Sequence, residues 1–238
     1  MSGLLEFPKE IYLSCMGQGV LIPMATDIIC YKAGIAELSH ICQYDILEKP
    51  NYLDQASQKR INEFFAGRML AQAILKQYFN ETRSITSLQH KLPIWSDGII
   101  GSISHSNDLV VVAISSHSKY LGIDLEYIVA TSFAEESMQL ILTQFEQELW
   151  QTGKIEHLSF CEYLTLIFSL KESLYKAVFP VAQSYIDFLE ATVVEIDIKR
   201  QMVRLKFNQE IQQRYKLHFE YQGFWVFQQD HVITWVAK

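Results

Sequence analysis

Apolar and polar positions along the chain change period several times, and each change marks an element. From about Asp54 to Phe79 the residues Ile61, Phe64, Phe65, Met69, Ala73 and Ile74 recur at helical spacing, with Asp54 or Ser57 placed to cap the start. A polar connection over 80–98 ends in LPIWSDG, where Pro93 and Trp95 stiffen the chain. Apolar runs Ile99–Ser104, Leu109–Ser116 and Tyr120–Glu126 then predict an antiparallel set of strands, with Asn107-Asp108 and Ser116–Lys119 as turns. Helical spacing returns in Met138, Ile141, Leu142, Phe145 and Leu149. A second helix is predicted over about His157 to Phe179, with Phe160, Leu164, Ile167, Leu174 and Val178 on its buried face and Pro180 ending it. The tail segments EATVVEIDI, MVRLKF, YKLHFEYQ, GFWVFQ and HVITWV read as strands separated by Lys199-Arg200, Gln222-Gly223 and Asp230, in two hairpins or a meander. Residues 1–50 are the least informative. Segments around Tyr12–Cys15 and Ile28–Tyr31 read as strands, with breaks at Pro8, Pro23 and Pro50.

Strands, helix, strands, then helices and strands suit an α+β fold better than a parallel α/β one. We expect two similar, pseudo-twofold lobes, 1–119 and 120–238, each a small, mainly antiparallel sheet packed with helices. At 238 residues either one large domain or two smaller ones can bury a core. A net charge of −7 argues against a nucleic-acid partner, which calls for an excess of Lys and Arg. It leaves room for an anionic small ligand held by a local basic cluster. No run of apolar residues is long enough to predict a membrane span. MSGLLEFPKEIYL has acids and prolines where a signal peptide has a basic start and an apolar core, so a cytoplasmic location is expected. Cys15, Cys30, Cys42 and Cys161 have neither paired nor zinc-knuckle spacing and read as reduced thiols.

Candidate chemistry concentrates in IIGSISHSNDLVVVAISSHSKYLGIDLEYI, residues 99–128. In a strand, Asp124 and Glu126 fall on one face and Ile123 and Leu125 on the other. On the solvent face of an edge strand such a pair is ordinary. In a shielded place the two charges repel by about 4 kcal/mol at 4 Å with an effective dielectric near 20, and a hard divalent cation removes that repulsion. Arg60 and Arg68 sit two helical turns along and about 80° around from each other, on a face that is either solvated or basic by design. Gly67 beside them favours close approach of another element. Lys171 with Tyr175, and Glu172 with Lys176, are pairs four apart on the second long helix.

Three separated pieces, GSISHS at 101–106, GIDLE at 122–126 and FSLKESLYKA at 168–177, resemble the signature motifs of the 4′-phosphopantetheinyl transferases. The likeness is to the monomeric, surfactin-type class and, within it, to the branch of enterobactin synthetase component D. That branch also has an arginine-bearing helix like QKRINEFFAGRMLAQAIL and an approach like LPIWSDG, so the resemblance covers about residues 55–180. It implies transfer of the phosphopantetheine arm of coenzyme A to a serine of an apo carrier protein, releasing adenosine 3′,5′-bisphosphate. Siderophore or nonribosomal peptide synthesis is the implied setting, and the enzyme a monomer. By motif position, Asp124, Glu126 and Glu172 would hold Mg²⁺, or Mn²⁺, against the pyrophosphate, with Glu172 within one metal ion's reach of the other two. The proton of the carrier serine would go to Glu172 or to a metal-bound water; a nearby cation would lower the Glu172 pKa. The resemblance assigns His105, with Ser104 beside it, to a coenzyme A phosphate. It assigns Arg60, Arg68 and Lys91 to the 3′-phosphate and its surroundings, and Lys171 and Lys176 to the pyrophosphate or substrate arm.

Two other classes compete. A non-catalytic coenzyme A-binding module that regulates a synthase would keep the basic residues without turnover. A serine hydrolase is suggested by Ser102, Ser104 and His105, but His105 stands where a nucleophile elbow needs glycine.

Overall fold

The computed structural model describes residues 15–17, 19–24, 27–41, 49–82, 85, 88–89, 92–153, 155 and 157–238. Two units divide the chain, Met1–Ser118 and Lys119–Lys238.

The first unit is built on an antiparallel sheet in the order β1 (Val20–Leu21), β2 (Ile28–Gly34), β6 (Leu109–Ser115), β5 (Ile100–Ser106). A separate ribbon pairs β3 (Leu88–Gln89) with β4 (Leu92–Pro93). β5 and β6 form a hairpin whose two-residue turn has Asn107 at φ 52°, a left-handed backbone that Asn tolerates. α1 spans Ile35–Ile41, and α2 spans Gln58–Phe79. α2 begins where Ser57 Oγ accepts from the Arg60 N–H and ends at Asn80, φ 50°. Its buried stripe of Phe64, Phe65, Met69, Leu70 and Ile74 forms the core with Val110, Val112 and Ile114 of β6. Cys15 and Cys30 are buried and take part in no disulfide among the described residues.

The second unit holds a five-stranded antiparallel sheet in the order β7 (Leu121–Tyr127), β11 (His231–Ala237), β10 (Tyr221–Gln228), β9 (Met202–Phe207), β8 (Ala191–Asp197). The tail is thus a meander, and β7 is added at its far edge beside β11. α3 (Thr131–Ile141) and α4 (Gln144–Gln151) precede the long α5 (Phe160–Ala182), which opens on a reciprocal cap between Ser159 and Glu162. Leu166, Ile167, Leu170 and Leu174 of α5 pack with Val193, Val203, Leu205, Trp225, Val232 and Val236 of the sheet.

The α+β class is as expected, with four corrections to the elements. Tyr120–Glu126 does not continue the β5–β6 sheet; β7 pairs with β11 instead. YKLHFEYQ is not one strand, because α6 (Gln209–Tyr215) precedes it, Lys216 caps that helix at φ 53°, and β10 starts only at Tyr221. Gln222-Gly223 lies inside β10 rather than at a turn. Pro180 lies within α5, which runs on to Ala182 because a proline so near the C-terminus forfeits one hydrogen bond and little else. At the start of the chain, residues 12–14 and Cys42 lie outside the described residues, while residues 15–17 are helical. No helix among the described residues is long and apolar enough to cross a membrane.

Candidate functional site

In the second unit the site begins with a close approach. A Cβ on Gly122 of β7 would stand 2.5 Å from the Ala177 nitrogen of α5 and closer still to the Ser173 carbonyl oxygen. Only glycine lets the helix backbone press on the strand here. Side chains alternate along β7, so Asp124 shares the α5-facing side with Gly122. Asp124 pairs in register with Thr234 of β11, and α5 presents Ser169, Ser173 and Lys176 at helical spacing above them.

The contacts follow from that placement. Ser169 Oγ donates to Asp124 Oδ2 at 2.8 Å and lies 2.9 Å from Thr234 Oγ1; Ser173 Oγ donates to the Thr234 carbonyl at 2.9 Å. Lys176 Nζ donates to Asp124 Oδ1 at 2.6 Å. Asp124 is 2 % exposed, so its charge is compensated inside the fold rather than by solvent. Glu172, one turn before Lys176, has its carboxyl pushed above the usual range, first by burial; Lys176 opposes that shift and the Asp124 charge adds to it. Glu172 is thus within electrostatic reach of both. Beside it runs a small, solvent-open groove whose walls include Tyr175, Tyr185, Ile186 and Phe188.

The expected convergence of Asp124, Glu126 and Glu172 on a metal position is not found. Among the described residues no three acidic, histidine or cysteine side chains are arranged to hold an ion. Like charges without a cation separate, and the Lys176 ammonium supplies the positive charge at Asp124 instead. The donor set still suits a hard cation in kind: all three ligands are carboxylates, and Asp124 and Glu172 already interact.

The Lys171 ammonium is buried and donates to Glu146 Oε2 at 2.7 Å, to the Ile141 carbonyl at 2.7 Å and to the Phe188 carbonyl at 3.0 Å. Burial lowers its pKa and Glu146 opposes that shift. All three protons of the Lys171 ammonium are thus committed to acceptors inside the unit. Glu146 is held as completely: it also accepts from the Val193 N–H at 2.7 Å and from the Thr143 N–H and hydroxyl in a reciprocal helix cap. The T-x-x-E spacing at Thr143–Glu146 is the sequence signal that could have found this cap; nothing in the sequence marks the Lys171 partnership.

In the first unit, a Cβ on Gly67 would lie 2.8 Å from Ile103 Cγ2, so α2 crosses β5 closely at that point. Arg60 and Glu63 are seven and four residues before Gly67 and share its helix face. His105 is two residues beyond Ile103 and shares its strand face. They meet accordingly. Arg60 Nη1 donates to His105 Nε2 at 2.7 Å, and Glu63 Oε2 lies 3.4 Å from Arg60 Nη1 and 3.6 Å from His105 Nδ1. With Nε2 accepting from Arg60, the other ring nitrogen, Nδ1, faces Glu63. Arg60 is half exposed, which leaves a cationic edge open to an anion.

Arg68 lies deeper, with Cζ 4.0 Å above the Phe64 ring. Burial pushes its pKa down to about 10, with Arg60 adding to the shift and Tyr52 opposing it. Strand alternation turns Ser104 to the face opposite His105, where it is buried. Lys91 lies outside the described residues. Glu63 and Gln72 of α2 were missed in the sequence, since each could sit on a solvated helix face until β5 and the core are known to cover it.

Two family models match the chain: the 4′-phosphopantetheinyl transferase N-terminal domain over residues 48–115, and the 4′-phosphopantetheinyl transferase superfamily over 120–236. Enterobactin synthase component D of Escherichia coli (strain K12) is 36 % identical over 143 residues, which cover 58 % of this chain and 66 % of the relative. The 4′-phosphopantetheinyl transferase Svp of Streptomyces mobaraensis is 28 % identical over 146 residues, 60 % of this chain and 58 % of the relative. The 4′-phosphopantetheinyl transferase Npt of Nocardia iowensis is 25 % identical over 137 residues, 57 % and 60 % respectively. The chain therefore spans just under two thirds of the length of these relatives.

Proposed function

Because the chain belongs to the 4′-phosphopantetheinyl transferase superfamily, we propose that it transfers the 4′-phosphopantetheine group of coenzyme A to a serine of an apo carrier protein. Adenosine 3′,5′-bisphosphate leaves. Enterobactin synthase component D among its relatives makes a peptidyl or aryl carrier of siderophore synthesis, in the cytoplasm, the first candidate acceptor. The observation that carries the reading is the meeting of two signature segments at one buried point, Asp124 from β7 with Glu172 and Lys176 from α5.

In this reading Arg60, Arg68 and His105 hold the 3′-phosphate, a task that suits the planar donor fork of arginine. Asp124, Glu126 and Glu172 are the residues that would hold Mg²⁺, which when bound supplies charge stabilisation to the phosphoryl oxygens. Lys176 leaves Asp124 and turns to the pyrophosphate. Glu172, its carboxylate made more basic by burial, takes the proton of the carrier serine. The serine oxygen then bonds to the β-phosphorus, and the bond from that phosphorus to the bridging oxygen breaks, leaving the oxygen on adenosine 3′,5′-bisphosphate. The groove beside Glu172, with Tyr175, Ile186 and Phe188 in its walls, suits the gem-dimethyl and methylene groups of the pantetheine arm.

Chromatography of the small-molecule products tests this. Adenosine 3′,5′-bisphosphate should appear only when coenzyme A, Mg²⁺ and an apo carrier are all present. Tight coenzyme A binding with no such product would favour the regulatory module instead.

A further inference from the structure

Polar side chains in a protein core are normally partnered, and α2 breaks that pattern twice, four residues apart. Gln72 is 1 % exposed and sits among Leu70, Ala71, Ala73 and Ile74, each 0 % exposed. Among the described residues, neither its amide nitrogen nor its amide oxygen has a hydrogen-bond partner, and the buried Nε of Arg68 has none either. Leu or Met would fill the same volume without that penalty. An orphan acceptor and an orphan donor therefore lie one turn apart on the same helix.

Helical side chains lean toward the N-terminus, over the turn before their own Cα. Arg68 follows this rule, since its guanidinium lies over the ring of Phe64, four residues earlier. The same lean directs Gln72 toward the turn that carries Arg68. Phe64, Arg68 and Gln72 thus form one ladder along α2, with the guanidinium held flat on an aromatic face below and an amide oxygen available above.

We propose that Gln72 is a positioning residue for the phosphate-binding arginine: its Oε1 accepts the Arg68 Nε–H when the terminal nitrogens of Arg68 engage the ligand's phosphate monoester. The Arg68 Nε–H and the Gln72 oxygen, two of the three unpartnered atoms, are then satisfied in one step, and the guanidinium fork is fixed in rotation about its long axis. In the empty protein the two groups stay unpaired, so their pairing adds to the affinity for the phosphate. The inference rests on the reading of Arg68 as a ligand of the 3′-phosphate.

Titration calorimetry of the full chain with coenzyme A and with 3′-dephospho-coenzyme A tests it. The wild type should prefer coenzyme A. Gln72→Leu should weaken coenzyme A binding about tenfold, the scale of one hydrogen bond to a charged group, and leave the affinity for the dephospho form unchanged. Gln72→Glu, which keeps the acceptor, should retain the preference. A general disturbance of the core would weaken both ligands alike. If Gln72→Leu does not fold, Gln72→Met takes its place with the same expectation. A folded Leu or Met variant that keeps the full wild-type preference, or that loses both ligands equally, overturns the role of Gln72. A wild type that binds both ligands equally overturns the reading of Arg68 itself.

Discussion

Asp124 is compensated by two groups of different kinds. Ser169 lies wholly inside the fold, whereas the Lys176 side chain is 26 % exposed. Lys176→Met should lower stability by about 1–3 kcal/mol in a chelator, as expected when a buried acceptor loses its partner. Added Mg²⁺ should restore part of the loss, and denaturant melts with and without the ion measure it; equal losses in both would remove the metal from Asp124. Asp124→Asn keeps the shape and a hydrogen-bond acceptor for Ser169, so the fold should survive while transfer falls by about a hundredfold or more. A wild-type rate would take Asp124 out of the site. Lys171 belongs to the other kind of lysine. Lys171→Met leaves Glu146 charged and wholly buried, which should cost about 3–5 kcal/mol. The double substitution with Glu146→Gln should recover part of that, read by the same melts.

Packing between elements makes a different set of demands. Gly122 and Gly67 both mark a helix pressed on a strand, yet they should respond unequally to alanine. At Gly122 the new methyl meets the Ser173 and Ala177 backbone, which cannot yield without moving α5. A loss of about 3 kcal/mol is expected there, at the high end for overpacking. At Gly67 the obstacle is one methyl of Ile103, and the gain of about 1 kcal/mol in helix propensity offsets its displacement. The melting temperature should therefore stay near that of the wild type.

Helices α2 and α5 were legible in the sequence because each keeps a long apolar stripe and a Ser cap. Helix α6 was not, since QEIQQRY buries only Ile211 and has too few apolar residues to show a period. β7 was legible as a strand but not in its pairing, because partner choice depends on β11, more than a hundred residues later.

Taken whole, the chain carries a net charge of −7 and still offers cationic groups for an anion, Arg60 and Arg68 in one unit and Lys176 in the other. Motif positions in the sequence named these residues together with Asp124, Glu172 and His105. What they could not supply was burial: Lys171 donates to Glu146 from inside the fold, whereas Lys176 donates to Asp124 from a partly exposed position. Nor could they expose Gln72, whose significance lies in the partner it lacks. Such distinctions arise from burial, which depends on every element at once. The most direct test is the intact mass of an apo carrier protein after incubation with this chain, coenzyme A and Mg²⁺. A gain of one phosphopantetheine unit per carrier, abolished by Glu172→Gln, is the predicted result. Unchanged mass across peptidyl, aryl and acyl carriers would contradict it.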